Sequence, residues 1–319
     1  MLKNYAAPKI PSHCIFPSKI QFGIFQTIIM MPTCKNSVDN VPFLVEVVVV
    51  IDASGSMETA VPAPQQAAEK FAREYSSLAK TRFEDGLSTR LRFTSFSRNK
   101  TTVFDGNPKD LSEVGILAII ASTKPKDVTR LYSTAVEEAN ILAGRIRAKY
   151  TQYKAGLDDV PIHEFGRGCV FILTTDGDDN ASKFHTANDV HLALSTLKNL
   201  GVNVLFGGAK INAEMVGKSM GVDDNNCLQI GGDSKHTAEG LHALQVVALR
   251  SSSSSSVGPR PTFTKEQRLR SCSRDEIAML QEVVLQDTLQ DTISSTITGP
   301  PTLTRPPLLK RSKACRYVS

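Results

Sequence analysis

Three stretches of the chain are apolar at nearly every position, and each of them is short. Residues 44–51 (LVEVVVVI), 169–174 (CVFILT) and 202–206 (VNVLF) are rich in β-branched and aromatic side chains. A short apolar run without strict alternation is typical of a strand that is covered on both faces. These stretches therefore predict three buried strands of a parallel sheet that lies between two layers of helices.

The segments between these strands have the spacing of amphipathic helices. The predicted helices cover residues 64–80, 110–121, 131–149, 186–200, 212–220 and 233–249. Further strands are predicted at 87–96, which pairs with 101–104 as a hairpin, and at 227–230. Strands that alternate with helices at this spacing predict an α/β fold with a doubly wound, mostly parallel sheet flanked by helices.

The α/β pattern divides the chain into three parts. Residues 40–249 carry the pattern and are predicted to form one domain. Residues 1–39 are a leader that is expected to be poorly ordered, and their apolar patch at 20–31 is too short to span a bilayer. Residues 250–319 contain a run of six serines, prolines and basic residues, which predicts a largely disordered tail. An amphipathic helix near 274–293 is an open alternative within this tail.

The net charge of +5 belongs to the tail and not to the predicted domain. Residues 1–249 hold 26 basic and 26 acidic side chains, whereas residues 250–319 hold 11 and 6. A nucleic-acid-binding domain is expected to carry a basic excess on its folded part, so nucleic acid is not an expected partner. No segment has the length and apolarity of a membrane span.

The six cysteines bear on the compartment more than on the chemistry. They form no CxxC motif, which argues against a zinc ribbon or a thioredoxin-like centre. Their low density favours a reducing, intracellular compartment. Secretion stays open, because the patch at 20–31 resembles the apolar core of a signal peptide and Cys34 and Cys272 flank the domain. A start of synthesis at Met30 or Met31 would instead remove that leader.

Three loops carry the candidate chemistry. Asp52, Ser54 and Ser56 form a D-x-S-x-S turn directly after the first buried strand, and Asp176 follows the second in the sequence TTDG. Thr129 precedes a predicted helix. The D-x-S-x-S turn alone also fits a serine-rich helix cap. However, both acidic turns follow parallel strands, and ligands of doubly wound sheets bind at the carboxyl edge of the strands.

These residues supply two carboxylates and three hydroxyls. All of these groups are hard oxygen donors, the kind of ligand that Mg²⁺ prefers. Mg²⁺ takes six oxygens and usually keeps some waters among them. The sequence therefore predicts a divalent-cation site for Mg²⁺, with Mn²⁺ as an alternative.

The order of these motifs resembles the von Willebrand factor type A family. A strand, D-x-S-x-S, a Thr in TRLY before a helix and an apolar strand that ends in TDG match over about two-thirds of the chain. The resemblance implies a metal-ion-dependent adhesion site, whose residues would be Asp52, Ser54, Ser56, Thr129 and Asp176. It also implies that an acidic residue of a protein partner completes the coordination of the metal. Val128 stands where many relatives have Gly, which is expected to stiffen that loop.

We expect binding and not catalysis from such a site. One alternative is a subunit that serves the assembly of a larger intracellular complex. Another is a metal-dependent phosphohydrolase, but the D-x-S-x-S turn lacks the second Asp of the phosphotransferases that use D-x-D. No phosphate-cradling loop and no H-E-x-x-H spacing occur either. Asp178 and Asp179 are candidates for an outer shell of the metal, or else solvated loop carboxylates.

Overall fold

The computed structural model describes residues 44–56, 63–84, 89–125, 128–154, 160–177, 179–253 and 259–272, together with Ala278. The predictions for the leader at 1–39 and for a helix near 274–293 lie outside these residues. The described residues form an α/β fold with a six-stranded sheet and helices on both of its faces.

The sheet has the strand order β3-β2-β1-β4-β5-β6. Its strands are β1 (Val45–Asp52), β2 (Thr89–Phe96), β3 (Lys100–Gly106), β4 (Val170–Thr175), β5 (Asn203–Ala209) and β6 (Cys227–Ile230). All neighbouring strands are parallel except β2 and β3, which form the predicted hairpin. The prediction of a doubly wound, mostly parallel sheet is confirmed.

Helices cross between the strands on both faces of the sheet. They are α1 (Ala63–Glu84), α2 (Glu113–Ser122), α3 (Leu131–Tyr153), α4 (Ile162–Phe165), α5 (Ala187–Asn199), α6 (Ala213–Ser219), α7 (Ser234–Ser253) and α8 (Lys265–Ser271). Among the residues described, no helix has the combination of length and apolarity needed to cross a bilayer.

The side chains of β1 alternate between two apolar cores. Val48 and Val50 pack in the core beneath α3 and α5, and Val47, Val49 and Ile51 pack in the core beneath α1 and α7. All five are at most 5% exposed. This two-sided burial explains why the strand is an unbroken β-branched run, and it fixes β1 at the centre of the molecule.

A network of buried charges joins the edge strand β3 to α3. Arg92 donates to Glu138 and to Asp105, and Arg145 donates to Asp105 and to Glu46. Glu46 and Glu138 are at most 2% exposed, and burial raises the pKa of Glu46. Burial also opposes ionisation of Asp105, but hydrogen bonds from arginines, chiefly Arg145, lower its pKa to about 2. Since unpaired buried charges are costly, these pairs fix β3 and α3 in place.

The segment that contains α8 packs against the edge strand β6. Phe263 is 6% exposed and lies in the core beneath α1 and α7. The amide of Gly231, at the end of β6, donates to the carbonyl of Ser271 at 2.7 Å. The guanidinium of Arg268 donates to the carbonyl of Cys227 at 2.8 Å. These bonds pair backbone groups that an edge strand would otherwise leave open.

The predicted end of the domain at residue 249 is therefore wrong. Helix α7 continues to Ser253, and residues 259–272 belong to the fold although they were assigned to the tail. The predicted boundary lies before the run of six serines because such a composition is typical of a disordered tail. Composition does not show that Phe263, further along the chain, is buried in the core beneath α1 and α7. Cys272, a candidate for pairing with Cys34, is buried, and Cys34 lies outside the described residues.

We predict that Phe263→Ala lowers the free energy of unfolding by about 3–5 kcal/mol, since it removes a buried aromatic side chain and leaves a cavity. Leu269→Ala, on the same segment but 49% exposed, is the matched control and should change it by no more than about 0.5 kcal/mol. Urea denaturation of the full chain measures both values. A loss of no more than about 0.5 kcal/mol in both variants would show that the segment does not stabilise the domain.

Candidate metal centre

The predicted site lies where the strand order reverses. β1 and β4 are neighbours at the centre of the sheet, yet the chain runs from β1 towards β3 on one side and from β4 towards β6 on the other. The helices that follow β1 and β4 cover opposite faces of the sheet. This arrangement opens a crevice at the carboxyl edge of β1 and β4, which is the usual ligand position in such sheets. Asp52 ends β1, and Asp176 directly follows β4.

Asp52 holds the D-x-S-x-S turn in place. One of its carboxylate oxygens accepts from the amide of Ser54 at 2.7 Å, and the other accepts from the hydroxyl of Thr175 at 2.6 Å. The next amide, that of Ala53, donates to the carbonyl of Phe96 at the end of β2. The Asp52 side chain thus organises the turn and connects it to β4.

Two serine hydroxyls and one carboxylate oxygen meet beside this turn. The Oγ atoms of Ser54 and Ser56 are 2.9 Å apart, and Asp176 Oδ1 lies 3.5 Å from the first and 2.5 Å from the second. Asp176 and Ser54 are buried, whereas Ser56 is exposed. The cluster is therefore accessible from solvent on its Ser56 side and enclosed on the other.

Thr129 is bonded through its backbone to the loop that follows β4. Its amide donates to the side chain of Asn180 at 2.8 Å, and its carbonyl accepts from the amides of Asn180 and Ala181. Thr129 is 3% exposed. The structure thus joins Asp52, Ser54, Ser56 and Asp176 in one hydrogen-bonded group, and it attaches Thr129 to the loop that follows Asp176.

The loop after β4 also completes the first turn of α3. Asp179 accepts from the amide of Tyr132 at 3.2 Å, and the hydroxyl of Ser182 accepts from the amide of Ser133 at 2.9 Å. The first amides of a helix have no partner within the helix, and the residue before α3 supplies no capping side chain. Asp179 therefore caps α3 rather than being a solvated loop carboxylate, and its role in an outer shell of the metal stays a prediction. Asp178 lies outside the described residues.

The site has an excess of negative charge deep in the protein. Burial raises the pKa of Asp52 to about 6, against the opposing hydrogen bonds from Thr175 and Ser54, and the nearby Asp176 carboxylate raises it further. The Oδ2 atom of Asp176 is buried and has no hydrogen-bond partner. Both facts describe a place where a positive charge would be stabilised.

Sequence analysis missed a lysine at this site. The ammonium of Lys210 lies 3.7 Å from Asp176 Oδ2 and donates to the carbonyl of Ser56 at 2.8 Å. The signal was present, because Lys210 directly follows β5, a third parallel strand that ends at the same edge of the sheet. Thr175 was missed as well, although it stands next to a predicted ligand.

The residues present fit a small divalent cation. Ligand oxygens around an octahedral Mg²⁺ at 2.0–2.1 Å are separated by about 3 Å along each edge of the octahedron. The separations of 2.5, 2.9 and 3.5 Å among Ser54 Oγ, Ser56 Oγ and Asp176 Oδ1 scatter around that value. In the described part of the chain, no group of three or more His, Cys, Asp or Glu side chains is placed to hold a metal. A metal here therefore depends on hydroxyl oxygens and on two carboxylates.

Comparison with known proteins gives a likeness to solved structures alone, since no family model and no curated protein matches the sequence. One similar structure is that of proximal thread matrix protein 1 from the mussel byssus, solved with a zinc-occupied MIDAS motif. It is 16% identical to this chain with a TM-score of 0.40, and the alignment covers 65% of this chain and 48% of the mussel protein. The chain thus spans about half the length of the mussel protein.

Two bacterial structures cover this chain to a similar extent. BatB from Bacteroides thetaiotaomicron is 16% identical with a TM-score of 0.38, and the alignment covers 63% of this chain and 96% of the BatB chain. The vWF domain of the pilus tip protein Mfa5 from Porphyromonas gingivalis is 13% identical and covers 66% and 95%, with a TM-score of 0.37. At these identities and TM-scores, the likeness says nothing about a metal, a ligand or a partner.

We predict that Asp52 makes the metal-free protein less stable as the pH rises from 4 to 6. Its folded pKa of about 6 is above its unfolded value, so the folded state binds a proton more tightly. That contribution, up to about 3 kcal/mol, is complete below the unfolded pKa of about 4 and is lost as the pH rises through 6. Unfolding in chelator across this range should show the loss in the parent protein and not in Asp52→Asn. Parallel pH profiles for the two proteins would contradict the prediction.

Proposed function

We propose that this protein is a metal-dependent protein-binding module and not an enzyme. Mg²⁺, or Mn²⁺ in its place, would be held by Asp52, Ser54, Ser56, Thr129 and Asp176 and would capture an acidic residue of a protein partner. The observation that carries the proposal is the convergence of two serine hydroxyls on Asp176, a buried carboxylate with one oxygen unsatisfied. This convergence occurs at the edge of the sheet where ligands bind in this architecture.

Each residue would contribute in a different way. Both carboxylate oxygens of Asp52 are already hydrogen-bonded, so its part is negative charge and orientation of the turn. Ser54 and Ser56 would supply neutral oxygens, and Asp176 would supply a charged one. Thr129 would supply a hydroxyl from a loop that is bonded to the loop after β4. When bound, the ion supplies an electrophilic centre for an anionic oxygen.

The charge balance of the site supports an anionic ligand. Two carboxylates neutralise a divalent ion, and the ammonium of Lys210 beside Asp176 then leaves a net positive charge. Neutral hydroxyls among the ligands keep the ion attractive to a further carboxylate, whereas a cage of carboxylates would not. An Asp or Glu of a partner protein fits these requirements.

Hydrolysis of phosphate esters is the alternative activity, and it requires different chemical groups at the site. A phosphohydrolase needs a nucleophile or a general base beside the metal. The carboxylate of Asp52 is occupied by Ser54 and Thr175, which leaves it poorly placed for either task. We expect no turnover of a generic phosphate ester in millimolar Mg²⁺. A role as an assembly subunit of a larger complex would use the same binding site.

We predict that Mg²⁺ stabilises the full chain because it binds the folded state only. At about 100 times its Kd, the ion should add about 2.7 kcal/mol to the free energy of unfolding. Asp52→Ala should abolish this gain. Asp110→Ala, which removes an exposed carboxylate after β3, is the control and should retain it. Thermal melts with Mg²⁺ and with chelator measure the effect, and an unchanged melting temperature of the parent protein would count against the site.

The nature of the ligand can be tested with peptides selected on the immobilised protein in Mg²⁺. We predict that each selected peptide needs an Asp or Glu, and that its amide variant binds about tenfold more weakly or worse, since a charge-assisted contact is worth about 1.5–3 kcal/mol. Thr129→Ala should weaken binding while the melting temperature is retained. Thr151→Ala, an exposed position near the far end of α3, is the matched control. Peptides that bind equally well in chelator would argue for an ordinary apolar interface.

A further inference from the structure

Lys210 has a backbone conformation that lysine rarely adopts. Its φ is +58°, and it is the non-glycine residue with positive φ in the part of the chain that the structure describes. Such a conformation favours Gly or Asn and persists only where the surroundings hold it. The turn after β5 therefore holds Lys210 in a geometry that a glycine would adopt without strain. Because this conformation costs free energy, we expect the lysine side chain to make contacts that a glycine could not make.

The side chain of Lys210 is directed at the candidate metal centre. Its ammonium donates to the carbonyl of Ser56 at 2.8 Å and lies 3.7 Å from Asp176 Oδ2. The Asp176 side chain is 1% exposed, whereas that of Lys210 is 36% exposed. A buried carboxylate needs a compensating charge, and the oxygen that Lys210 faces has no hydrogen-bond partner. The ammonium is therefore the counter-charge of Asp176 in the metal-free protein.

A divalent ion bound by Ser54, Ser56 and Asp176 would lie close to this ammonium. Two cations near one carboxylate repel each other, and a tethered cation competes at a high effective concentration that dilution does not change. We propose that Lys210 is a built-in competitor that sets the metal affinity of the site. The proposal rests on the proposed metal-dependent function and adds a residue that limits it.

A purely structural role for Lys210 makes the opposite prediction about metal. If the bond to Ser56 only fixes the D-x-S-x-S turn, then removal of the ammonium loosens the turn and weakens metal binding. If the ammonium competes with the metal, then its removal strengthens metal binding, even where the metal-free protein becomes less stable. Metal affinity therefore distinguishes the two roles, and thermal stability alone does not.

The test is calorimetric titration of Mg²⁺ and Mn²⁺ into the chelator-treated full chain. Lys210→Met removes the charge and offers no oxygen to a hard cation, whereas Lys210→Arg retains the charge. Lys80→Met removes an exposed lysine near the carboxyl end of α1, and it controls for the change in net charge. Lys210→Asn is a second neutral variant, because Asn tolerates positive φ and its side chain is shorter.

We expect Lys210→Met to bind Mg²⁺ at least about tenfold more tightly, because the repulsion between one unit charge and a divalent ion about 6 Å away corresponds to about that factor in water and to more in a partly buried site. Lys210→Asn should follow Lys210→Met, and the Arg and Lys80 variants should stay within about twofold of the parent protein. Unchanged or weaker binding by both neutral variants overturns the role of Lys210 and leaves the proposed function intact. Binding by Lys210→Met but not by the parent supports competition and overturns the proposed function. If no variant binds either metal, both proposals fail.

Discussion

Strand β1 is covered on both faces, and this constraint governs the rest of the structure. A strand without a solvent face has to be apolar, and each charge in it needs compensation inside the protein. β1 carries two carboxylates, Glu46 near its start and Asp52 at its end. Arg145 of α3 compensates the first, while a backbone amide and the hydroxyl of Thr175 compensate the second. The position of α3 and the path of the loop at the carboxyl edge both follow from these pairings.

The two ends of β1 show two ways to bury a carboxylate. At the amino end, Arg145 pairs with both Glu46 and the partly exposed Asp105 of β3; the pKa of Asp105 falls to about 2, whereas burial still raises that of Glu46. At the carboxyl end, neutral donors stabilise Asp52 only in part, and burial raises its pKa to about 6. In the first arrangement, arginines of the protein compensate the carboxylates, and the ion pairs attach β3 to α3. The second is incomplete, and an incomplete site is one in which an added cation lowers the free energy.

Much of this architecture could be predicted from local pattern. The strands and helices follow from hydrophobic period, the end of α5 follows from Gly201, whose φ is +91°, and four of the predicted ligands are joined as the motif spacing indicated. The remainder depends on contacts between segments far apart in the chain. Lys210 matters because β5 ends next to β4, and Phe263 because β6 leaves an edge to be covered. Neither contact can be recognised from the residues that flank Lys210 or Phe263 in the sequence.

The caps of α3 have a consequence for the order in which the protein assembles. The first turn of this helix is completed by Asp179 and Ser182, which come about 50 residues later and beyond β4. A nascent chain that has synthesised α3 but not yet these residues lacks partners for the amides of Tyr132 and Ser133. The native caps of α3 can therefore form only once the loop after β4 has been synthesised. Thr129, whose amide is bonded to Asn180 of the same loop, likewise depends for its native contacts on residues that are synthesised about 50 positions later.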